Sequence, residues 1–352
     1  MDLTNLRKKI DALDTKIIEL LNDRAAITLS IGHEKIKNKK PIYAPDREQE
    51  VLKRIKQLNG GPIKNEAVEA IYREIMSASL NLEKPLRIAY MGPEATFSHL
   101  ASLKKFGSSV GHVACENVAE VFAKVESGDC DYGVVPIENS IEGVVTHTMD
   151  LLVDSDLKIC SQVMLDVTHQ LMSKGSLPQI KEIYSHPQVL GQCRHWLMQN
   201  MPKVHLIPTV STTKAAQIVA NKKNAACIAS QVAASLYNLT ILKKNIQDSA
   251  HNITRFLVIS TMDVPVTGND RTSLVFSIKD KVGALHAMLT PFMRNKINLT
   301  KIESRPSKKK AWDYYFFVDC EGHKQDPRVA RALSQLEGMC KFLKILGSYP
   351  NA

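Results

Sequence analysis

Apolar residues near the start of the chain recur at alternating spacings of four and three positions, with one interruption at Arg24. The residues of this stripe are Leu6, Ile10, Leu13, Ile17, Leu20, Ile27 and Ile31. A heptad stripe is typical of a long helix, here predicted over residues 5–38, about 50 Å long at 1.5 Å per residue. Two further helices are predicted over Pro45–Leu58 and Asn65–Leu82. They are too short to cover the stripe, so we expect the first helix to pair with a second chain.

The next block, residues 86–262, alternates short β-type runs with helical stretches. The strand candidates are Arg87–Tyr90, Tyr132–Val135, Glu182–Tyr184 and Ala226–Ala229. Each run ends in polar or Gly-Pro residues and continues into a helix, a βα pattern that predicts a mainly parallel sheet. Ligands of such sheets bind beyond the carboxyl ends of the strands, where this block places its polar residues.

The last block begins after the polar stretch Thr267–Asp270. Its predicted elements are a strand (Thr272–Ile278), a helix (Ala284–Arg294), two strands (Leu299–Ser304 and Trp312–Cys320), a helix (Pro327–Leu336) and a strand (Phe342–Tyr349). This βαββαβ order is that of a ferredoxin-like fold.

Composition and charge narrow the classes of protein that fit. The 352 residues carry a formal net charge of +10, but the lysines lie in short clusters, such as Lys37, Lys39 and Lys40 or Lys308–Lys310, without interleaved aromatic residues. That distribution argues against nucleic-acid binding and is compatible with small anionic substrates. No stretch is long and apolar enough for a membrane span, and the first residues resemble a helix more than a signal peptide. The seven scattered cysteines include no CxxC pair, so we expect packing roles, no metal and a reducing cytoplasm.

Cations occupy unusual positions in the helical block. Arg24 interrupts the apolar stripe, and Lys35 follows about three turns later on nearly the same face. A single such charge is typical of a residue that sets helix register. Arg7 lies near the other end of this helix, however, and Arg47 and Glu48 open the second helix. Several cations without matching buried acids indicate an anionic ligand held between helices.

Polar motifs follow the predicted strands of the second block. They are Gly92–Ser98, Pro136–Ser140, Ser185–Gln188, Ser211–Thr213 and Asn252–Phe256. Each alone is compatible with ordinary turn or helix-cap chemistry. Because all of them fall at strand ends or helix starts, we expect them to converge on one edge of the sheet.

The helical block resembles the all-helical chorismate mutases, which are intertwined dimers. The residues that carry the resemblance are Leu6-Arg7, Asp14, Arg24, Gly32, Lys35 and Asp46-Arg47-Glu48. The resemblance implies that Arg24, with Arg7 donated by the partner chain, holds the carboxylates of chorismate. Lys35 would face the ether oxygen and Glu48 the ring hydroxyl, with Arg47 and Ser79 in support. Holding the compact conformer and stabilising the breaking ether oxygen would supply the catalysis.

Glu83 aligns with a position that is glutamine in some chorismate mutases. A glutamine amide can donate a hydrogen bond to the ether oxygen, whereas a glutamate donates only when it is protonated. We therefore expect mutase activity to fall as the pH rises, and a Glu83→Gln variant to lose this dependence.

The second block resembles prephenate dehydratase, with Asn252-x-Thr254-Arg255-Phe256 as its most specific motif. The resemblance implies two α/β lobes like those of periplasmic binding proteins, with Thr254 helping the ring hydroxyl of prephenate to leave as water. The residues expected to line the cleft are Glu138, Asn139, Ser185, Gln188, Gln192 and Ser211, with Arg255 pairing with a carboxylate. His186 more plausibly fixes a turn than acts as an acid. Ala95 replaces a usual glycine, which would strain the loop if a positive φ is needed.

The third block resembles the ACT regulatory domain. Its two motifs are Gly283-Ala284-Leu285 and Glu303-Ser304-Arg305-Pro306. The resemblance implies that paired domains from two chains hold phenylalanine between these motifs and close the dehydratase cleft. A purely structural dimerisation module is the alternative.

These three resemblances, in this order, are those of the bifunctional chorismate mutase–prephenate dehydratases. The predicted domains are 1–84 (all-α mutase), 86–262 (two-lobed α/β dehydratase) and 271–352 (ACT), in a homodimer at least, with no cofactor, nucleic acid or membrane partner. An amino-acid sensor without turnover is the main alternative. A mutase joined to a prephenate dehydrogenase would need a nucleotide-binding fold, and no G-x-G-x-x-G follows a strand here.

Overall fold

The computed structural model describes residues 2–38, 40–278, 281–307 and 314–351. Lys39, the cluster Lys308–Lys310 and the predicted strand start at Trp312 lie outside these residues. The chain forms two compact units, residues 1–88 with 105–111 and residues 89–104 with 112–352, and each is described by itself. The second unit therefore contains most of the dehydratase block and the whole ACT block.

The first unit contains the three predicted helices, α1 (Leu3–Lys37), α2 (Pro45–Leu58) and α3 (Asn65–Glu83). Pro45 at the first turn of α2 is compatible with helix initiation, because that position has no intrahelical N–H bond to lose. The apolar stripe of α1 remains exposed within this chain, from 41% at Leu6 to 67% at Leu20. The prediction that α2 and α3 cannot cover this stripe is confirmed.

Residues 105–111 belong to the first unit, although the sequence pattern assigns them to the second block. The Phe106 ring lies 5.1 Å from that of Tyr43, centroid to centroid. Gly107 has a φ of +70°, and a Cβ there would overlap Ser77. The first unit therefore draws part of its packing from chain that follows its last helix.

The first sheet of the second block has the strand order β2-β1-β3-β11-β5, with β4 beside β3. Its strands are β1 (Arg87–Met91), β2 (Gly111–Cys115), β3 (Tyr132–Asn139), β4 (Gly143–Val144), β5 (Lys158–Asp166) and β11 (Ile253–Ser260). The helices along this part of the chain are α4 (Phe97–Phe106), α5 (Val118–Glu126) and α6 (Thr146–Asp154).

The second sheet has the order β10-β6-β9-β7-β8 and forms the other lobe. Its strands are β6 (Gln170–Ser173), β7 (Glu182–Ser185), β8 (His205–Pro208), β9 (Ala225–Ala229) and β10 (Thr240–Lys243). Its helices are a short 3-10 turn (Leu177–Gln179), α7 (Pro187–Gln192), α8 (Arg194–Asn200), α9 (Thr212–Val219) and α10 (Gln231–Leu236).

Both sheets contain several antiparallel strand pairs, which corrects the expectation of a mainly parallel arrangement. β7 pairs in parallel with β8 and β9, as a βα pattern predicts. β11 is antiparallel to both β3 and β5, and β6 is antiparallel to β9 and β10. The strand that carries Thr254 enters the first sheet from the far end of the block, so its direction is not set by a βα repeat.

The ACT block has the predicted βαββαβ order, and its sheet order is β13-β14-β12-β15. Its elements are β12 (Asp270–Ser277), α11 (Ala284–Arg294), β13 (Leu299–Pro306), β14 (Tyr314–Glu321), α12 (Pro327–Glu337) and β15 (Phe342–Pro350). β15 packs on β5 of the dehydratase, where a Cβ at Gly347 would overlap the Ile159 backbone. Val275, Phe317 and Tyr349 are buried in the same core cluster as the first sheet.

None of the helices in the described ranges combines the length and apolarity that a membrane span requires. Within those ranges no group of three or more His, Cys, Asp or Glu side chains is placed to hold a metal ion.

Candidate active sites

An open pocket of about 630 Å³ lies between the three helices of the first unit. Its lining includes Arg24, Lys35, Arg47, Glu48, Ser79 and Glu83, which are six of the seven residues expected at a chorismate site. Bundles build ligand sites from side chains on facing helices, and these six come from α1, α2 and α3. The structure thus brings together residues as far apart in sequence as Arg24 and Glu83.

Lys35 and Glu83 form an ion pair in this pocket. Lys35 Nζ donates to Glu83 Oε2 at 2.7 Å and to the Ile42 carbonyl at 2.7 Å. The Glu83 side chain is only 8% exposed. The expectation that the cations lack matching acids is therefore wrong for Lys35. Glu83 acts as an acceptor here, and its expected role as a donor to the ether oxygen stays a prediction.

Gly32 allows α1 and α3 to approach at this point. A Cβ on Gly32 would lie 3.0 Å from both Cα and Cβ of Glu83. Such contacts are shorter than ordinary van der Waals packing, so any larger residue at this position would push Glu83 and α3 away from α1.

Glu48 is held by two donors. Tyr43 Oη donates to Glu48 Oε2 at 2.8 Å, and Lys105 Nζ donates to the same oxygen at 2.7 Å. Lys105 was not expected here, because it follows the helical block by about two dozen residues and its neighbours read as dehydratase sequence. No local pattern could have identified it.

The arginines of the first unit differ in their surroundings. Arg24 Nη1 donates to Ser79 Oγ, which donates to the Ile75 carbonyl at 2.8 Å. Arg47 pairs with Glu50 on the surface at 2.8 Å. Arg7 is exposed and about 25 Å from Arg24 along α1 at 1.5 Å per residue, so it cannot serve this chain's own pocket. Arg54, Tyr72 and Thr28 line the pocket but were not predicted.

The register between β3 and β11 organises the dehydratase site. Thr254 lies opposite Asn139, and Arg255 lies opposite Glu138. Because successive side chains of a strand point to opposite faces, each pair occupies its own face of the sheet. Thr254 and Asn139 form one site, and Arg255 and Glu138 form another.

A chain of side-chain hydrogen bonds begins at Thr254. Asn139 Nδ2 donates to Thr254 Oγ1 at 2.8 Å and to Asn252 Oδ1 at 2.7 Å. Asn252 Nδ2 donates to Gln192 Oε1 at 3.1 Å, and Gln192 Nε2 donates to Glu142 Oε1 at 3.0 Å. Thr254, Asn139 and Gln192 were predicted site residues, and Asn252 was recognised only as part of the motif.

Three other predicted cleft residues serve local structure. Ser185 is fully buried and its Oγ donates to the Ile228 carbonyl at 2.7 Å. Ser211 caps α9 by accepting the Lys214 N–H at 3.0 Å. Gln188 is exposed at the start of α7, where its backbone N–H donates to His186 Nδ1 at 3.4 Å. His186 thus lies at a helix cap, as its turn interpretation implies.

Arg255 and Glu138 do not lie beside Thr254, which corrects their expected placement in the cleft. Arg255 donates to Gln162 Oε1 at 2.9 Å, to Asp319 Oδ2 at 2.6 Å and to Tyr349 Oη at 2.8 Å. Burial raises the pKa of Tyr349 to about 12, so its hydroxyl stays neutral in this cluster. Asp319 and Tyr349 belong to the ACT block, so the strand that carries Thr254 is anchored to that block.

The ACT strand β13 makes two further ion pairs with the dehydratase. Lys301 Nζ donates to Glu138 Oε2 at 2.7 Å, and Arg305 pairs with Asp150 at 3.1 Å. Arg305 was expected at a phenylalanine site, but the structure turns it toward α6. Of the remaining ACT residues, Gly283 caps α11 with a φ of 76°, before Ala284 and Leu285. Glu303, Ser304 and Pro306 lie on β13, which is an edge strand.

Ala95 has the positive φ that its usual glycine would favour, at 65°. Its N–H donates to His99 Nδ1 at 3.1 Å and its carbonyl accepts from Ser230 Oγ at 2.9 Å. Burial lowers the pKa of His99, which keeps that ring nitrogen available as an acceptor. Two hydrogen bonds therefore hold the loop in its left-handed conformation.

Comparison with known proteins gives the same three domains in the same order. Family models match chorismate mutase type II at residues 6–84, prephenate dehydratase at 88–264 and the ACT domain at 272–338. A prephenate dehydratase of Arthrobacter aurescens, solved in complex with L-Phe, is 32% identical with a TM-score of 0.71, over 76% of this chain and 90% of that one.

Relatives that match over nearly the whole of both chains are named for both activities. The bifunctional chorismate mutase/prephenate dehydratase of Aquifex aeolicus is 49% identical over 100% of this chain and 98% of its own length. That of Pseudomonas aeruginosa is 44% identical over 99% and 98%. These relatives do not favour a sensor without turnover. The chain belongs to the bifunctional chorismate mutase/prephenate dehydratases, enzymes of phenylalanine biosynthesis.

Proposed function

We propose that the helical pocket binds chorismate and that Thr254 acts on prephenate in the cleft between the two lobes. In the pocket, Arg24 binds a substrate carboxylate, Lys35 faces the breaking ether bond and Glu48 binds the ring hydroxyl. Chorismate rearranges by breaking one C–O bond and forming one C–C bond, so no nucleophile is needed. The cations stabilise negative charge on the ether oxygen, and the shape of the pocket selects the compact conformer.

The pocket is completed by a second copy of the chain. The exposed apolar stripe of α1 has heptad spacing, which favours a helix of the same kind as its partner. Arg7 is too far from its own pocket to contribute there, and antiparallel pairing of two α1 helices would bring Arg7 of each chain toward the other chain's Arg24. A homodimer would therefore bury the apolar stripe of α1 and add the Arg7 cation of the partner chain to each pocket.

In the cleft, Thr254 donates its hydroxyl proton to the departing ring hydroxyl. The bond between the ring and its carboxylate breaks, carbon dioxide leaves, and the released electron pair completes the aromatic ring as the C–O bond breaks. Water is the other product, and solvent returns a proton to Thr254. Aromatisation drives the reaction, so a weak acid in the correct position suffices.

The hydrogen bond from Asn139 to Thr254 is the observation that carries this role. Because the Asn139 amide donates, Thr254 Oγ1 is the acceptor, and its proton has no acceptor among the described residues. The proton is thus available to the substrate, and the Asn139 donor stabilises the oxygen as the proton leaves.

The test compares Thr254→Val, which keeps the shape of the side chain, with Thr254→Ser, which keeps the hydroxyl. We expect Thr254→Val to lower the dehydratase kcat by about 10²–10⁴-fold and Thr254→Ser by about tenfold or less. Chorismate should still be converted, so prephenate should accumulate. A Thr254→Val enzyme that forms phenylpyruvate at the wild-type rate would contradict the proposal. A wild-type protein that forms none would favour the sensor.

Phenylalanine is proposed to bind the ACT block near Gly283–Leu285 and Glu303–Pro306. The L-Phe complex of the Arthrobacter aurescens relative supports this effector. Lys301 and Arg305 connect the same strand, β13, to Glu138 and Asp150 of the dehydratase. A shift of β13 on binding would therefore be transmitted to the strand that carries Asn139. The seven scattered cysteines, with no disulfide among them, support a cytoplasmic location.

A further inference from the structure

His169 is a buried histidine that the proposed mechanism does not use. It lies between β5 and β6 with 0% exposure, and its backbone N–H donates to Gln247 Oε1 at 3.0 Å. Its ring lies 5.7 Å from that of Phe97, edge to face. Nε2 is 2.7 Å from Gln192 Oε1, whereas Nδ1 is buried without a hydrogen-bond partner in the described part of the chain. A buried unsatisfied nitrogen costs free energy and calls for an explanation.

The donor and the acceptor of each hydrogen bond between Thr254 and Gln192 follow from the orientation of the Asn139 amide. The backbone N–H groups of Ile141 and Glu142 both donate to Asn139 Oδ1, at 3.0 Å each. Backbone N–H groups can only donate, so the other side of the Asn139 amide must be the NH₂ that faces Thr254 and Asn252. Asn252 then accepts with Oδ1 and donates with Nδ2 to Gln192 Oε1.

The Gln192 oxygen therefore needs a donor on its other side. Its amide nitrogen already donates to Glu142 Oε1 at 3.0 Å, which agrees with this orientation. His169 can satisfy the oxygen only if Nε2 carries the proton, which leaves Nδ1 bare. Burial lowers the pKa of His169, so the ring is neutral and a single tautomer accounts for both nitrogens.

We infer that His169 is a positioning residue of the dehydratase, whose Nε2–H locks the Gln192 amide and, through Asn252 and Asn139, keeps the Thr254 proton free for prephenate. This inference rests on the role proposed above for Thr254. His169 itself contacts no reacting atom. Its unsatisfied Nδ1 follows from holding the ring in the tautomer that Gln192 requires.

Loss of the His169 donor removes one of the three hydrogen bonds that orient the Gln192 amide and leaves it held by Asn252 and Glu142 alone. Each time this more weakly held amide turns over, its NH₂ lies against the NH₂ of Asn252. Asn252 must turn in response, and its NH₂ then faces that of Asn139, which the two backbone donors hold in place. Asn139 can no longer satisfy both partners, so its hydrogen bond to Thr254 weakens.

Three variants separate the donor from the shape of the ring. His169→Gln places an amide nitrogen the same number of bonds from Cα as Nε2 of the histidine, so it retains the donor. His169→Asn places its amide at the Nδ1 position and cannot reach Gln192. His169→Phe fills the space without a donor. Mutase activity of the same molecules, from the other compact unit, reports the concentration of active enzyme.

We expect His169→Phe and His169→Asn to lower the dehydratase kcat by about tenfold or more, with a smaller change in KM for prephenate. His169→Gln should remain within about threefold of wild type, because the donor is restored. Equal losses in His169→Gln and His169→Phe, or a wild-type kcat in His169→Phe, would overturn the inference.

A second measurement does not depend on the folding of any variant. Nitrogen-15 NMR of histidine-labelled wild-type enzyme should show a neutral His169 ring protonated at Nε2. A proton at Nδ1 instead would overturn the inference. Failure of the Thr254 proposal is distinguishable, because Thr254→Val would then stay active whatever the His169 variants do.

Discussion

The two proposed catalytic sites of this chain are built from different chemical groups. The mutase pocket is made of ammonium, guanidinium and carboxylate groups on three helices, with Lys35–Glu83 and Lys105–Glu48 as ion pairs at 2.7 Å each. The dehydratase site is a chain of neutral amides and a hydroxyl that ends at the Glu142 carboxylate, and its members Asn139 and Thr254 lie on paired strands. Rearrangement of chorismate needs charge around one oxygen, whereas dehydration of prephenate needs one proton aimed correctly.

The sites also differ in how complete they are within one chain. The α1 stripe is exposed and Arg7 is far from its own pocket, which supports the proposal that a second chain completes the helical site. The hydrogen-bonded dehydratase residues all belong to the second unit. Long helices bury their stripes by association, whereas a two-lobed sheet fold closes its own cleft. Mutase activity should therefore depend on the partner chain, and dehydration should not.

The largest change in mutase activity is expected when two variants that are each deficient in mutase activity are mixed. Arg7→Ala and Arg24→Ala should each lower mutase kcat/KM by about 10²–10³-fold, because each removes a cation from the substrate carboxylates. Random exchange of subunits between them should restore about a quarter of the wild-type mutase activity, since half of the dimers are mixed and each has one intact site.

Mutase rates measured before and after subunit exchange provide the check, with dehydratase activity as the internal control. If the mixture stays as inactive as its components, the pocket does not draw Arg7 from a second chain.

The next effect concerns phenylalanine and the link between β13 and β3. Lys301→Met removes the donor to Glu138, so we expect about a tenfold increase in the phenylalanine concentration needed for half inhibition of the dehydratase. Lys324→Met is the matched control, because Lys324 makes an ion pair of the same 2.7 Å length with Asp263 away from β13.

The rate of phenylpyruvate formation, measured over a range of phenylalanine concentrations, distinguishes the Lys301→Met variant from the Lys324→Met variant. Equal shifts in both variants would show that the regulatory signal does not pass through Lys301.

A smaller effect is expected in the helical unit from Gly32→Ala. Its Cβ would lie 3.0 Å from the Glu83 backbone, so α1 and α3 must separate. We expect a loss of about 1–3 kcal/mol in the free energy of unfolding of this unit, and a fall in mutase activity without one in dehydratase activity. Gly61→Ala is the control, since a Cβ there would have no atom within 4 Å.

Urea titration followed by circular dichroism, together with both activity assays, measures these changes. A Gly32→Ala enzyme as stable and active as Gly61→Ala would mean that the helices yield freely at this contact.

The smallest effect is expected from Ala95→Gly. Relief of the left-handed conformation favours the variant by about 1–2 kcal/mol. Loss of a buried methyl, about 0.8 kcal/mol, and the added freedom of glycine in the unfolded chain, about 0.4–1 kcal/mol, oppose it. The net change in unfolding free energy should therefore be under about 1 kcal/mol.

Ala89→Gly in β1 is the matched control, because Ala89 is also buried but has no positive φ to relieve. It should be destabilised clearly in the same urea titration. Equal losses at both positions would show that the Gly92–Ser98 loop stores no strain at Ala95.

Much of the fold could be predicted because its signals are local. The period of the apolar stripe gives α1, Pro45 marks the start of α2, and the polar breaks in the last block separate all of its elements. The motif Asn252–Phe256 likewise identified Thr254 by resemblance. It could not tell which neighbour of Thr254 faces the cleft, since that depends on which face of β11 the ACT block covers.

The sequence by itself determined the three blocks, the long helix with its uncovered stripe, and the set of polar residues from which both sites are made. Only the tertiary structure decided which of them meet. Arg255 pairs with Asp319, Lys105 pairs with Glu48, and His169 is hydrogen-bonded to Gln192, 23 positions away. Periodicity and turn chemistry depend on neighbours within a few residues, whereas these partners are chosen by strand register and by the packing of distant segments.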